Sequence, residues 1–138
     1  MMTMKTIRAW AVLPMLAIAV LSGCSKSNDD VATTDGACFA DKLELSNPVV
    51  EDLPSSHSVI ITYDVKNTSS EDFDIQKGHR PVYVKVSATT TSDKVYTEEN
   101  LLTVSSLSAG STTSTKLLVD YGAGNAYKSY SIDQKICK

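Results

Sequence analysis

The chain has three cysteines and two histidines, residue types that act as nucleophiles, metal ligands or redox groups: Cys24, Cys38, Cys137, His57 and His79. Their spacing matches neither a zinc site nor the Cys-x-x-Cys arrangement of a redox pair. The chain also contains no Gly-x-Ser-x-Gly, no His-Glu-x-x-His and no phosphate-binding glycine loop. We therefore expect no enzyme active site, no metal site and no cofactor.

The segment that precedes Cys24 is organised as a secretory leader. Lys5 and Arg8 supply a positive end, residues 9–20 form an apolar core, and small residues stand directly before the cysteine. The apolar core is shorter than the roughly 20 residues that a membrane-spanning helix needs. Residues 1–23 are therefore expected to be a cleaved signal peptide.

The stretch Leu21-Ser22-Gly23-Cys24 resembles the cleavage and acylation site of a bacterial lipoprotein precursor. The resemblance implies a diacylglyceryl group on the Cys24 thiol, cleavage before this residue, and acylation of the new amino group by a fatty acid such as palmitate. Two or three acyl chains anchor a protein firmly, whereas a single chain anchors it marginally. We expect a cell-envelope protein held by its lipid. Ser25, in place of Asp, favours the outer membrane in a bacterium with two membranes.

With Cys24 assigned to the lipid, Cys38 and Cys137 remain as a pair near the two ends of the folded part. The compartment outside the inner membrane is oxidising, which favours a disulfide bond between them. Counted by alternation, Cys38 shares a phase with Lys42, and Cys137 shares a phase with Lys135. We therefore expect both thiols on polar strand faces, where the disulfide bond would crosslink an edge or an end of the domain.

Charge and composition restrict the partners. Lys5 and Arg8 are the only basic residues of the leader, so 11 of the 13 basic and all 16 acidic side chains belong to the mature chain. This negative balance disfavours nucleic acid and anionic lipid surfaces, so the lipid anchor is the expected membrane contact. Residues 24–37, rich in Ser, Asn, Asp and Thr, are expected to be a flexible tether, and residues 38–138 a single domain.

Beyond the tether, apolar residues recur with a period of two. Strands are predicted at residues 39–46, 59–66, 82–89, 94–97, 101–104, 112–121 and 127–137. Turn-forming residues separate these runs, and no window predicts a helix longer than one turn. About seven short strands at such spacing predict an all-β fold, an antiparallel immunoglobulin-like β-sandwich.

Three stretches carry a second resemblance: Ile61-Thr62-Tyr63-Asp64-Val65-Lys66-Asn67-Thr68-Ser69, Val82-Tyr83-Val84-Lys85-Val86 and Leu107-Ser108-Ala109-Gly110-Ser111. In this order they look like the small immunoglobulin-like modules of bacterial envelope lipoproteins, such as the FxLYD-type domains. The resemblance implies a module that binds or spaces other molecules and is not an enzyme.

One polar loop is the candidate binding loop, and its candidate residues are Glu71, Asp72, Phe73, Asp74, His79 and Arg80. Phe73 is expected to tuck inward while the carboxylates lie in a solvated turn. Calcium binding is the alternative, but the acidic spacing of a calcium loop and its distal Glu are missing. His57 and His79 are both expected to be solvated loop histidines.

Two functional classes remain for such a protein. The first is a monomeric, lipid-anchored, non-catalytic module that binds a protein, peptide or glycan in the envelope. The second is a structural or assembly accessory of an envelope complex, and a lipoprotein inhibitor or exclusion factor is a further alternative. An exposed patch containing Tyr83 and Tyr96 would favour the binding module, whereas a long unpaired strand edge would favour assembly by strand addition.

Replacement of Cys24 tests the lipid assignment. Cells that express the full chain and are fed a palmitate probe should yield labelled protein, and Cys24→Ala should abolish the label because it removes the acylated sulfur. Ser25→Ala is the matched control and should stay labelled. Equal labelling of the wild type and Cys24→Ala would contradict the assignment.

Overall fold

The computed structural model describes residues 36–138. This part of the chain is all β, apart from a 3-10 helix at Ile75–Lys77. Its eight strands, numbered in chain order, are β1 (Leu43–Leu53), β2 (Ser58–Asn67), β3 (Phe73–Asp74), β4 (Val82–Thr90), β5 (Val95–Leu101), β6 (Ser106–Leu107), β7 (Thr112–Asp120) and β8 (Tyr127–Cys137). No helix among these residues is long and apolar enough to cross a membrane. The expected signal peptide, the expected lipid site at Cys24 and most of the expected tether lie outside the described residues.

The strands form antiparallel sheets, as the alternation predicted. One three-stranded sheet has the order β1-β2-β7, a second has the order β5-β4-β8, and β3 pairs with β6. The strands number eight instead of about seven because β3 and β6 have two residues each, too few to show an alternation. β5 continues through Glu98 and Glu99, where a break was predicted, since both are exposed at a sheet edge without interrupting the pairing. The strand predicted at residues 101–104 is wrong beyond Leu101, because β5 ends at this residue and the following residues are irregular.

Alternate residues of β2, β4 and β7 project into one shared core. Directly opposite residues of an antiparallel pair project from the same face, so the register of Ile61 with Leu117 keeps the apolar residues of β2 and β7 together. The core residues of these three strands are Val59, Ile61, Tyr63, Val65, Val82, Val84, Val86, Ala88, Thr115, Leu117 and Val119. The period of two predicted for these three strands is therefore confirmed.

β1 begins and ends later than the alternation suggested. Phe39 is buried, but its carbonyl accepts a hydrogen bond from the amide of Leu43 at 3.0 Å, which makes the preceding residues a turn. At the other end, a bulge between Ser46 and Val49 lets the strand continue past Pro48. Because proline lacks an N–H, it is usually read as a strand end in a sequence.

β8 corrects the predicted orientation of Cys137. The pairing of β8 with β4 shifts at two places, one of them around Asp133, and a shift of one residue moves the following side chains to the other face. Lys135 and Cys137 consequently lie opposite the buried residues Val84 and Val82. Cys137 packs against the core, so the expectation of a polar strand face is wrong for this thiol.

Cys38 and Cys137 lie at disulfide-bond distance, with their sulfur atoms 2.02 Å apart, as the sequence predicted. The bridge joins the segment before β1 to the end of β8 across 99 residues of chain. Arg80 supports the same end, because its Nη2 donates to the Cys137 carbonyl at 3.0 Å. The amide of Lys138 donates to the carbonyl of Pro81 at 3.2 Å. The end of β8 is therefore held by covalent and polar contacts together.

Removal of the bridge should destabilise the domain. Closing a loop of about 100 residues restricts the unfolded chain by up to about 4.7 kcal/mol, so Cys38→Ser with Cys137→Ser should lower the free energy of unfolding by a value approaching that figure. Urea unfolding followed by circular dichroism measures the change. Cys24→Ser leaves the pair intact and is the control. An unchanged free energy of unfolding in the double variant would contradict the structural role.

Candidate functional site

The first residues of the candidate loop have partners in the surrounding chain. Glu71 is exposed and forms an ion pair with Lys42 at 3.2 Å. Oδ1 of Asp72 accepts a hydrogen bond from the amide of Ala109 at 2.9 Å. Phe73 is 1% exposed, which confirms its predicted inward orientation. This half of the loop is therefore tied to the domain by contacts on both sides of the buried ring.

Asp74 begins the 3-10 helix. Its Oδ1 accepts from the amide of Gln76 at 2.9 Å, and its Oδ2 lies 3.9 Å from Nζ of Lys77. Gly78 ends the helix with a φ of 95°, in the left-handed region that favours glycine. Within residues 36–138, no three His, Cys, Asp or Glu side chains are grouped to hold a metal ion. The carboxylate of Asp74 serves as a helix cap.

His79 is half-buried, in contrast to the solvated histidine that the sequence suggested. Its ring stacks on Phe73 at 6.0 Å and 13°, and lies 4.5 Å from the ring of Phe39. Nδ1 accepts a hydrogen bond from the amide of Asp74 at 2.9 Å, so the neutral ring carries its proton on Nε2. The imidazole thus fixes the loop against the aromatic core.

His57 lies in a separate part of the domain. It occupies the turn between β1 and β2 with a φ of 54°, and its carbonyl accepts from the amide of Tyr121 at 2.8 Å. The 11 residues of β1 separate this turn from Phe39, the neighbour of His79. The two histidines therefore do not share a site.

An open groove of about 410 Å³ adjoins the candidate loop. Its lining residues are Asp72, Phe73, Asp74, Lys77, Ser106, Leu107, Ser108 and Ser111. Both apolar members, Phe73 and Leu107, are buried, so the accessible surface is polar. Small-molecule sites are usually lined by accessible apolar and aromatic side chains, which makes this groove a weak candidate.

A serine-carboxylate pair lies on the outer face of the second sheet. The hydroxyl of Ser87 donates to Oδ2 of Asp133, and the hydroxyl of Ser131 donates to Oδ1 at 2.8 Å. These hydrogen bonds hold the pKa of Asp133 below its usual range. A carboxylate with a lowered pKa is a poorer base, and both histidines lie in other loops, so the pair does not form a nucleophilic triad.

One side of the core is incompletely covered by the described chain. Val50 lies opposite the buried Ile61 and so shares the core face, yet it is 40% exposed. On β8, the core-facing residues Tyr127, Tyr130 and Ile132 are only partly buried. β1 and β8 are the outermost strands of their sheets. The apolar interior is therefore accessible between these two edges.

The other side of the core is closed by the segment around the end of β5. The side-chain amide of Asn100 donates to the carbonyl of Leu118 at 2.9 Å and accepts from its amide at 3.0 Å, as a neighbouring strand would. The hydroxyls of Thr103 and Thr115 lie 3.1 Å apart, and Leu102 is buried. The two sides of the core therefore differ in their access to solvent.

Tyr83 and Tyr96 lie on opposite faces of their sheet. Tyr96 is opposite the buried Ala88 and shares the core face, whereas Tyr83 projects from the other face opposite Leu101. The Tyr96 hydroxyl accepts from the side-chain amide of Asn125 at 3.0 Å. These two residues therefore do not supply the exposed aromatic patch that would have favoured a binding surface there.

Four other tyrosines gather near the open side. The rings of Tyr63 and Tyr130 meet edge-on at 6.3 Å, and those of Tyr121 and Tyr127 lie 6.3 Å apart. The Tyr121 hydroxyl donates to Asp52 at 2.8 Å. Burial, reinforced by Tyr130, raises the pKa of Tyr63 far above its usual range, and burial also raises the pKa values of Tyr121 and Tyr127.

Sequence reasoning did not find Val50 or Asn100. Val50 comes two residues after Pro48, which interrupts the alternation of apolar and polar residues. The two adjacent valines in a polar stretch are only a weak signal of a strand. Asn100 closes a polar run that resembles a turn, and its partner Leu118 lies 18 residues further along the chain. A pairing between residues this far apart produces no pattern in the sequence around either of them.

Comparison with known proteins provides no relative. No family model matches the chain, and no curated protein or solved structure is detectably similar to it. The function is therefore inferred from the residues and geometry described above.

The raised pKa of Tyr63 predicts a loss of stability at alkaline pH. Above about pH 10 the unfolded chain releases a proton that the folded chain retains, so the free energy of unfolding falls as pH rises. Tyr63→Phe should reduce this fall by up to about 1.4 kcal/mol per pH unit. Urea unfolding across the alkaline range measures it, with Tyr83→Phe as the control on the outer face. Identical pH dependence in Tyr63→Phe and the wild type would refute the prediction.

Proposed function

We propose that the chain is the precursor of a lipid-anchored, non-catalytic module of the bacterial cell envelope that binds a protein or peptide. In this proposal residues 1–23 are the signal peptide, Cys24 carries the lipid, and residues 24–37 tether a monomeric domain. The Leu21-Ser22-Gly23-Cys24 stretch supports the anchor. The pair of cysteines at disulfide-bond distance supports an oxidising compartment.

We also propose that the two three-stranded sheets pack face to face as an immunoglobulin-like sandwich. The orders β1-β2-β7 and β5-β4-β8 support this, because they follow the orders A-B-E and C′-C-F of that fold. The shared core of the two sheets supports the same packing. In this scheme β8 takes the place of strand F, and no strand within residues 36–138 takes the place of strand G beside it.

The observation that carries the binding proposal is the accessible interior between β1 and β8. Val50 and the partly buried Tyr130 and Ile132 belong to the core faces of their strands, so their exposure reflects the absence of a covering strand within residues 36–138. Apolar surface beside a free strand edge suits a polypeptide, which can supply both main-chain hydrogen bonds and apolar side chains. A glycan has no backbone that can pair with a strand. A protein or peptide is therefore the favoured partner.

The non-catalytic part of the proposal rests on the roles of the titratable residues. His79 and Asp74 hold the candidate loop, and His57 lies in a separate turn. Asp133 is a weakened base that serine hydroxyls already occupy. General acid-base catalysis needs a base within hydrogen-bond reach of a nucleophile or substrate. His79, Asp74 and Asp133 have other partners, and His57 lies apart from them.

The role of an assembly accessory is the second candidate, and the free edge of β8 favours it. An accessory would hold its partner permanently in a complex, whereas a binding module would exchange partners. Both roles use the same side of the domain, so the lifetime of the complex separates them.

Site-specific crosslinking in living cells tests the proposed function. A photoreactive phenylalanine analogue in place of Ile132 should yield a discrete adduct with an envelope protein after irradiation, because this side chain faces the open side. The same analogue in place of Lys116, on the outer face of β7, is the matched control and should yield none.

Two results would contradict the proposal. Equal yields of the adduct at positions 132 and 116, or no adduct at either position, would contradict binding at the open side. Hydrolytic or redox turnover by the full chain that His57→Ala abolishes would refute the non-catalytic assignment.

A further inference from the structure

We infer that the open side binds an extended peptide that adds as a strand to the free edge of β8. The inference rests on the proposed function, since it specifies how a protein or peptide partner is held. The partner segment has alternating apolar side chains on one face and carries basic residues. It lies antiparallel to β8, which is the usual orientation for a strand joining an antiparallel sheet.

The backbone of β8 provides the first argument. In the described part of the chain, β8 pairs with β4 alone, and no other backbone hydrogen bond reaches residues 128–136. An edge strand presents outward N–H and C=O groups, which are a template for another strand. Near the disulfide end, Nζ of Lys135 donates to the carbonyl of Leu43 at 2.5 Å and bridges the two sheets. The edge nearer Tyr127 has no such bridge among residues 36–138.

The interior beside β8 provides the second argument. The contact of Tyr63 with Tyr130 places β8 against β2, and β1 lies on the far side of β2 from β7. The inner face of β1 therefore extends past β8, so Val50 is 40% exposed and Leu45 is only partly buried. A strand added to β8 lies beneath β1, and its inward side chains contact Val50 and Leu45.

The other three edges of the two three-stranded sheets are less suitable. Asn100 already occupies the edge of β7 by pairing with Leu118. Pro48 interrupts the edge of β1 and removes a donor. β5 exposes Glu98 and Glu99 along its edge, and charged side chains disfavour the addition of a strand.

The bulges of β8 restrict which peptides can pair with its edge. Its register shifts leave residues 129–132 as the regular stretch between the two irregularities. Bulges are one means by which natural edge strands avoid indiscriminate pairing. A short peptide in one register therefore fits this edge better than an open-ended stack of copies.

The charges around the open side determine the sign of the partner. Asp52 borders one end, where it accepts from the hydroxyl of Tyr121. Asp41 and Glu44 lie close enough to Lys135 at the other end to interact with its charge. Lys128, near the start of β8, is neutralised by its ion pair with Asp93. The remaining three carboxylates against the ammonium of Lys135 favour a basic peptide over an acidic one.

Two neighbouring valines allow a matched test. Val50 faces the interior side, whereas Val49 is 65% exposed on the outer face, opposite Thr62. The probe is a synthetic heptapeptide in which valine alternates with threonine and lysine, titrated into protein purified from cells that express the full chain. Val50→Lys should weaken binding by about tenfold or more, because it places an unpaired charge beneath β1 against a basic peptide. Val49→Lys adds the same charge and should leave affinity within about twofold.

Both substituted side chains are already exposed, and thermal unfolding checks that both variants stay folded. The same peptide with N-methyl groups on the amides of its pairing edge should not bind, since strand addition uses those donors. Binding of the unmodified peptide should slow amide hydrogen exchange in residues 129–132.

Several results would overturn the inference. One is an equal loss of affinity in Val50→Lys and Val49→Lys, and another is binding of the N-methylated peptide. The others are slowed hydrogen exchange that is confined to another part of the domain, and no binding of the heptapeptide. A dimer that Val50→Lys disrupts, without peptide binding, would identify a second copy of the chain as the occupant instead. An adduct at position 132 without peptide binding would overturn strand addition and leave the proposed function intact.

Discussion

The covalent link between Cys38 and Cys137 is the constraint on which the last strand of this domain depends. β8 has one hydrogen-bonded neighbour in the described chain, whereas β2 and β4 have two each. Within residues 36–138, strand pairing therefore leaves the outer edge of β8 without a neighbouring strand. The crosslink lowers the entropy of the unfolded chain, and with Arg80 it fixes the end of the strand. β8 can consequently remain ordered while one edge is free.

An ordered strand with a free edge has an energetic consequence for the core. Apolar side chains that face inward at such an edge, as Val50 and Ile132 do, keep part of their surface in water and contribute less to folding. This surface is the one that the proposed peptide would cover. The opposite side of the core is covered by the chain itself, because Asn100 and Leu102 lie over it. The two sides of the domain therefore differ in how much apolar surface they leave in water.

Residues with the chemistry of an active site serve the fold in this domain. His79 accepts a backbone hydrogen bond while its ring packs against two phenylalanines, and Asp74 caps a 3-10 helix. Asn67, fully buried, donates to the carbonyls of Glu71 and Leu107 and accepts from the amide of Ser69. Short loops contain backbone groups that no strand satisfies, and a buried polar group without a partner is costly, so polar side chains are needed there.

Local patterns in the sequence were sufficient for the all-β antiparallel organisation, the inward faces of β2, β4 and β7, the buried Phe73 and the pairing of Cys38 with Cys137. The burial of Phe73 follows from its apolar ring in a polar loop, and the others follow from side-chain alternation or from the number of cysteines. Only the tertiary structure decided the face of Cys137, the continuation of β1 past Pro48, the stacking of His79 and the accessible interior beside β8. A bulge changes the phase of a strand without a local signal, and a missing neighbour is a property of the assembled sheets. These features depend on pairing between residues that are distant in the sequence.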